Sequence, residues 1–180
     1  MMTQLGKMHI RKLAAFVCET LRKEGLEVTL SGGACAEIYS NRKYVTGDLD
    51  FVTTYIGPEN GKIIERVMKK LGFVHTGRIY INPEVHYSIE FPPGPLGIGN
   101  EDRIRPVKME FKTGTLSLLS ATDCAKDRLV GYFHGNDLQC LEQAVMICSM
   151  NEVDMANIQK WSKSEGQQEK YKRLCQDFRE

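Results

Sequence analysis

No charge of either sign predominates in this 180-residue sequence: 24 Lys and Arg stand against 23 Asp and Glu, a formal net charge of +1. No global field then steers the chain toward nucleic acid or an anionic membrane, so any anion it binds must be met by a local arrangement. Nor is there a C-x-x-C pair. The six cysteines, Cys18, Cys35, Cys124, Cys140, Cys148 and Cys175, are scattered without metal-ligand spacing. A zinc site and a disulfide framework are thereby excluded, and the cysteines read as reduced residues, several at apolar positions of helices, in a cytoplasmic protein. No stretch approaches the roughly 18 apolar residues of a membrane span, and MMTQLGKMHIRK lacks the apolar run of a signal peptide. No membrane partner is expected.

Several catalytic signatures are missing as well. There is no G-x-x-x-x-G-K-[ST], no G-x-S-x-G and no H-E-x-x-H, which argues against a P-loop enzyme, a hydrolase elbow and a zincin. GPLGIGNE (94–101) contains G-x-G but follows prolines and opens no helix, so it is no dinucleotide fingerprint. The histidines at 9, 75, 86 and 134 show no metal spacing. Repeats and low-complexity tracts are absent.

What is present suits an ordinary globular chain, 42% hydrophobic and 26% charged, able to bury one core with a small appended subdomain. Ile10, Leu13, Ala14, Phe16, Val17 and Leu21 recur at three- and four-residue steps and predict an amphipathic helix ending at Gly25. LEVTL (26–30) alternates as a strand that stops at Ser31-Gly32-Gly33, and a short helix follows through AEIYS. DLDFVTTYI (48–56) is the second strand, and KIIERVMKKLGF is helical. Strands are expected at 73–81 and 85–91, then an exposed Pro/Gly-rich loop, PPGPLGIGNEDRIRP, and a hairpin turning at Thr113-Gly114. From Ser120 onward the pattern is helical only. Ser120 or Thr122 caps the first of these helices, Asn136 with Gln139 resembles a capping box for the second, and others lie near Trp161 and Tyr171. The expected fold class is α+β: a sheet core over 1–118 and a helical C-terminal subdomain over 119–180.

The chemistry concentrates in SGGACAEIYSNRKYVTGDLDF (31–51). Successive strand side chains face opposite ways, so Asp48 and Asp50 share one face while Leu49 and Phe51 share the other. Two carboxylates about 7 Å apart on one strand face repel each other unless cations lie between them. Mg²⁺ takes hard oxygen ligands, one or two carboxylates plus substrate phosphates, and suits the pair. Gly32 and Gly33, lacking Cβ atoms, let the backbone approach a phosphate at a helix start, and Ser31 can add a hydroxyl donor. Either motif alone fits a solvated strand or a turn. Together, flanking a short helix between two strands, they describe a nucleotide site.

S-G-G, a gap, then D-L-D-F resembles the signature of the DNA polymerase β-like nucleotidyltransferase superfamily. Within it the chain is similar to the AbiEii-like, minimal nucleotidyltransferase proteins of toxin-antitoxin and phage-defence systems. The resemblance covers roughly residues 8–118, with KDRLVGYFHGND (126–137) suggestive of the same proteins. It implies a mixed-sheet nucleotidyltransferase core with helices packed on one face, Gly32 and Gly33 on nucleotide phosphates, and Asp48 and Asp50 on Mg²⁺ or Mn²⁺. It also implies a nucleoside triphosphate as substrate, an RNA or tRNA end or a small hydroxylated molecule as acceptor, and an antitoxin protein as a possible partner.

Members often carry a third carboxylate. Glu90 stands with His86 and Ser88 on a polar strand face, whereas Glu110 shares its face with Lys108 and Lys112, which neutralise it; Glu90 is preferred over Glu110. From the helical side Lys126 or Arg128 can reach the nucleotide, and Lys126 is taken as the binding residue. Asp127 fits an interdomain salt bridge equally well. A local patch including Arg42, Lys43, Arg103 and Arg105 would suffice for a polynucleotide acceptor, while Arg42 and Lys43 fit an exposed basic turn at least as well. A catalytically silent nucleotide sensor or scaffold is the alternative reading.

Overall fold

The computed structural model describes residues 5–53 and 57–178. Helix α1 (Ile10–Lys23) buries Ile10, Leu13, Ala14, Val17 and Leu21 along its apolar stripe. It ends where Gly25 takes a left-handed φ of 85°, letting the Leu26 N–H donate to the Leu21 carbonyl at 3.0 Å. There follow β1 (Val28–Ser31), α2 (Gly32–Tyr39), β2 (Asp48–Thr53), α3 (Asn60–Lys70), β3 (Val74–Thr76), β4 (Ile79–Ile81), β5 (Ser88–Glu90), β6 (Val107–Phe111) and β7 (Gly114–Leu118). Four helices complete the chain: α4 (Ala121–Gly135), α5 (Leu138–Met150), α6 (Met155–Ser164) and α7 (Gln168–Asp177). Of the strand expected over 48–56, the last three residues lie outside the described residues.

The fold is α+β, with a seven-stranded sheet in the order β3-β4-β5-β2-β1-β7-β6. It is mixed, because β1–β7 and β2–β5 pair in parallel and the remaining neighbours antiparallel. One strand more appears than the sequence pattern suggested: 73–81 is not continuous but folds back at Gly77, whose φ is +64°, giving β3 and β4. Leu30, Leu49, Phe51, Ile89, Leu116 and Leu118 are all fully buried. Helices α1 and α2 pack against these strands. Burying each such side chain contributes about 1.5–3 kcal/mol, so this apolar face fixes the register of the central strands.

Two local expectations are corrected. The Pro/Gly-rich segment 92–106 is irregular as expected but not wholly exposed: Leu96 and Ile98 are buried, at 8% and 2% exposure, and the Trp161 indole N–H donates to the Ile98 carbonyl at 3.3 Å. Burying Leu96 and Ile98 draws the loop inward and sets Ile98 against α6. The N-cap of α5 is Asp137, not Asn136. The Asp137 carboxylate accepts from the N–H groups of Gln139 and Cys140, while Asn136, at φ 54°, is the left-handed C-cap of α4. Ser120 caps α4 by accepting from the Asp123 N–H.

The helical tail is joined to the sheet segment through α2. The Tyr39 hydroxyl donates to the Leu119 carbonyl at 2.8 Å, and the Asn151 amide donates to the Tyr39 carbonyl at 2.9 Å. Buried residues of both segments form one continuous apolar cluster. All six cysteines are unbridged, and among the described residues no helix is long and apolar enough to cross a membrane.

Because Asp137 satisfies two otherwise orphaned N–H groups, Asp137→Ala should lower stability by about 1 kcal/mol, whereas Gln139→Ala should change it by less than about 0.5 kcal/mol. Urea unfolding midpoints measure both.

Candidate active site

Residues paired across a ladder share a face, so register decides which polar groups meet. Ser31 stands opposite Asp50 across the antiparallel β1–β2 ladder. Across the parallel β2–β5 ladder Asp50 stands opposite Glu90, and Asp48 opposite Ser88. Ser31, Gly32, Asp50 and Glu90 thus line one open cavity of about 390 Å³, closed on its other sides by the loop 92–97 and by Asp127 and Arg128 of α4. Glu110 lies on β6 at the far edge of the sheet, where it accepts from the Thr115 hydroxyl at 2.9 Å.

Holding these carboxylates together has an electrostatic cost. Burial, then the charges of Asp48 and Glu90, push Asp50 up to about 6 from an ordinary 3.8, with Arg128 opposing the rise. Arg128 is the cation of this cavity, paired with Asp127 through Nε at 3.1 Å and a terminal nitrogen at 2.6 Å. Burial alone would lower Arg128, but its Asp127 partner more than offsets this and holds it above its usual range.

The two glycines serve different ends. Gly32 has a φ of +67°, and a Cβ there would lie 2.1 Å from Asp50 Oδ2, so a side chain is excluded both by backbone conformation and by the carboxylate. Its N–H, at the opening of α2, donates to Asp127 Oδ2 at 3.3 Å. This amide is therefore an anion site that already holds an internal anion. Gly33 does not line the cavity. A Cβ there would meet Thr46 Oγ1 at 2.9 Å and the Tyr44 hydroxyl oxygen at 3.2 Å, so its bareness makes room for the loop into β2. The Ser31 hydroxyl donates across the β1–β2 ladder to the Asp50 carbonyl at 3.5 Å.

Asp48 lies on the same strand face as Asp50 but turns toward Thr46, whose hydroxyl donates to Asp48 Oδ1. Lys126 is not brought to the cavity at all. Its side chain is 1% exposed and its ammonium is closed between Glu101 and Asp123. Successive helical residues point about 100° apart, so presenting Asp127 and Arg128 to Gly32 turns Lys126 inward. Asp123, three residues before Lys126 on α4, was the signal in the sequence that this lysine is spent on an internal pair.

Among the described residues no three carboxylate, imidazole or thiol groups converge as a ready-made ion cage. The donor chemistry nonetheless fits a hard divalent cation. Asp48, Asp50 and Glu90 offer only oxygen on one sheet face, and a cation there would offset both the burial and the neighbouring charges that raise Asp50.

No family model matches this chain, and no curated protein matches it. Among solved structures, the solution structure of the antibiotic-resistance factor ANT(2'')-Ia is similar, with a TM-score of 0.50 and 11% sequence identity over 78% of this chain and 82% of that one. The chain has a nucleotidyltransferase-like fold. At that identity the likeness is one of architecture, and roles for individual residues rest on the geometry above.

The raised Asp50 makes a signed prediction for the metal-free protein. Its folded value lies above the unfolded 3.8, so the neutral carboxyl favours folding below that pH and the advantage is lost as pH rises through about 6. Asp50→Asn should accordingly raise stability at pH 8 by about 2 kcal/mol and leave it nearly unchanged at pH 4. Urea unfolding in chelator at the two pH values tests this; no gain at pH 8 counts against the electrostatic account.

Proposed function

We propose that this protein is a metal-dependent nucleotidyltransferase that moves a nucleoside monophosphate from a nucleoside triphosphate to an acceptor hydroxyl. The observation that carries the reading is the register placing Ser31, Asp50 and Glu90 side by side, with the Gly32 amide at the same end of the sheet. A solvated Asp-x-Asp strand would not stand beside a third carboxylate and a main-chain anion site in one cavity. The fold likeness supports the same class.

On this reading the triphosphate lies over Gly32, its phosphates taking the N–H that Asp127 now occupies and pairing with the Arg128 guanidinium, whose planar fork matches phosphate oxygens. Asp48, Asp50 and Glu90 hold Mg²⁺ or Mn²⁺, which supplies neutralisation of the charge on the attacking and leaving oxygens. The acceptor oxygen attacks the α-phosphorus, a new O–P bond forms, the bond to the β-phosphoryl oxygen breaks, and pyrophosphate departs. Glu90, open to the cavity, receives the acceptor proton. Catalysis comes from positioning and charge neutralisation, as phosphoryl chemistry requires. Of the two cations the sequence offers on this helix, Lys126 and Arg128, Arg128 takes the role given to Lys126 above.

Two acceptor classes remain in play. A small hydroxylated molecule such as an aminoglycoside is favoured by the likeness to an antibiotic-resistance factor. An RNA or tRNA end, with a toxin-like role and an antitoxin partner, rests on the sequence resemblance. Each is an outcome of one experiment. The purified protein is incubated with α-labelled nucleoside triphosphates, Mg²⁺ and either total RNA or a panel of hydroxylated small molecules.

Label appearing on either acceptor supports the enzyme and identifies its class. Nucleotide binding by calorimetry without transfer to any acceptor would establish the sensor instead. Asp48→Asn and Asp50→Asn should each abolish transfer with the fold intact by circular dichroism. Arg128→Met should raise KM for the triphosphate about tenfold or more, the scale of a lost charge-assisted pair. Lys126→Met should instead act on stability, leaving KM within about twofold once folded protein is compared.

A further inference from the structure

Glu37 is a fully buried carboxylate on α2 that takes no part in the proposed chemistry. Its Oε2 accepts from the Thr46 N–H at 2.9 Å. Its Oε1 has no hydrogen-bond partner and is held only by a 3.5 Å ion pair with Nε of the largely exposed Arg42. A half-satisfied buried carboxylate is costly, and an amide or an apolar side chain would fill the same space at less expense. Something besides packing is therefore served by the charge.

The loop that Glu37 grips is constrained from every side. Asn41 and Arg42 both take left-handed φ angles, 49° and 66°, which non-glycine residues rarely adopt. The Tyr44 N–H donates to Ser40 Oγ at 3.2 Å, and Arg11 donates to the Ile38 carbonyl at 2.8 Å and to Asn41 Oδ1 at 3.3 Å. Gly33 leaves the space that Thr46 Oγ1 fills. These restraints converge on Thr46, whose hydroxyl reaches out of the loop and donates to Asp48 Oδ1. One carboxylate oxygen of Asp48 is thereby tied.

We propose that Glu37 and Thr46 form a positioning relay, Glu37 carboxylate to Thr46 main chain and Thr46 hydroxyl to Asp48, that sets the rotamer of Asp48 for divalent metal. The inference rests on the reading of Asp48 and Asp50 as metal-holding residues. Neither Glu37 nor Thr46 touches substrate or metal; both act through Asp48. Hydrogen-bonded partners of metal-holding side chains commonly set affinity by about 10- to 100-fold.

The test uses the full-length protein without nucleotide and reads free Mn²⁺ by electron paramagnetic resonance. Thr46→Val, which keeps the shape and removes the donor, should weaken Mn²⁺ binding about tenfold, and Thr46→Ser should restore it to within about twofold. Glu37→Gln should weaken it about threefold, and adding Glu37→Gln to Thr46→Val should cost nothing further, since a serial relay is non-additive. Multiplying losses in the double variant would show Glu37 to be merely structural and overturn the relay. Asp50→Asn separates the relay from the metal reading beneath it. If Asp50→Asn loses Mn²⁺ while Thr46→Val binds like the parent, only the relay fails; if Asp50→Asn binds like the parent, the metal reading itself fails. Should Glu37→Gln not fold, the Thr46 pair alone decides.

Discussion

The arrangement turns on like charges held together on one half-buried sheet face. The apolar side of the central strands, Leu30, Leu49, Phe51 and Ile89, is fully buried and admits no slip of register, because a one-residue shift would exchange it with the polar side. Given that register, Asp50 has no choice of neighbours: Ser31 lies on one side and Glu90 on the other. The hydrophobic effect thus holds carboxylates where electrostatics alone would separate them. Asp50 is raised first by its burial on that face and then by the charges of Asp48 and Glu90.

Other features of the site follow as answers to it. Gly32 must lack a side chain because the Asp50 carboxylate fills the space a Cβ would occupy. Helix α4 supplies Arg128, the guanidinium that faces the cavity, and anchors it to Asp127, which in turn caps the Gly32 amide. Helix α4 of the tail therefore forms one wall of the cavity. The hydrogen bonds from Tyr39 and Asn151 that join α2 to the tail hold this wall in place.

Much of this is legible in the sequence, because it depends on period-two alternation. The shared face of Asp48 and Asp50, the burial of Leu49 and Phe51, and the polar face of Glu90 all follow from strand geometry alone. What alternation cannot give is which strands are neighbours. That β5 lies beside β2 while β6 lies at the sheet's edge separates Glu90 from Glu110, and it depends on crossover connections invisible to local patterns. Gly32 and Gly33 are equivalent as letters, yet one accommodates Asp50 and the other Thr46. Within KDR the sequence offers three charged residues, and only the helix's orientation shows that Lys126 turns inward while Asp127 and Arg128 face the cavity. The loop 92–106 departs from expectation for a related reason: Pro and Gly forbid regular structure, but they do not forbid Leu96 and Ile98 from burying themselves.

The near-neutral composition gains meaning at this site. The cavity carries more carboxylates than cations, with Asp50, Glu90 and Asp127 facing Arg128. A bare polyphosphate entering such a field is repelled, and it must also displace Asp127 from the Gly32 amide. On the proposed reading the exchange becomes favourable only when divalent charge accompanies the phosphates, since the carboxylates then gain a counter-ion as Asp127 gives up the amide. An internal anion seated on the anion site would make the pocket selective for metal-complexed triphosphate over free phosphate, a selectivity that a merely basic pocket does not provide. On that same reading net positive charge is not needed for a highly charged substrate: the cation would come with the ligand, and the protein would supply oxygen atoms fixed in place to receive it.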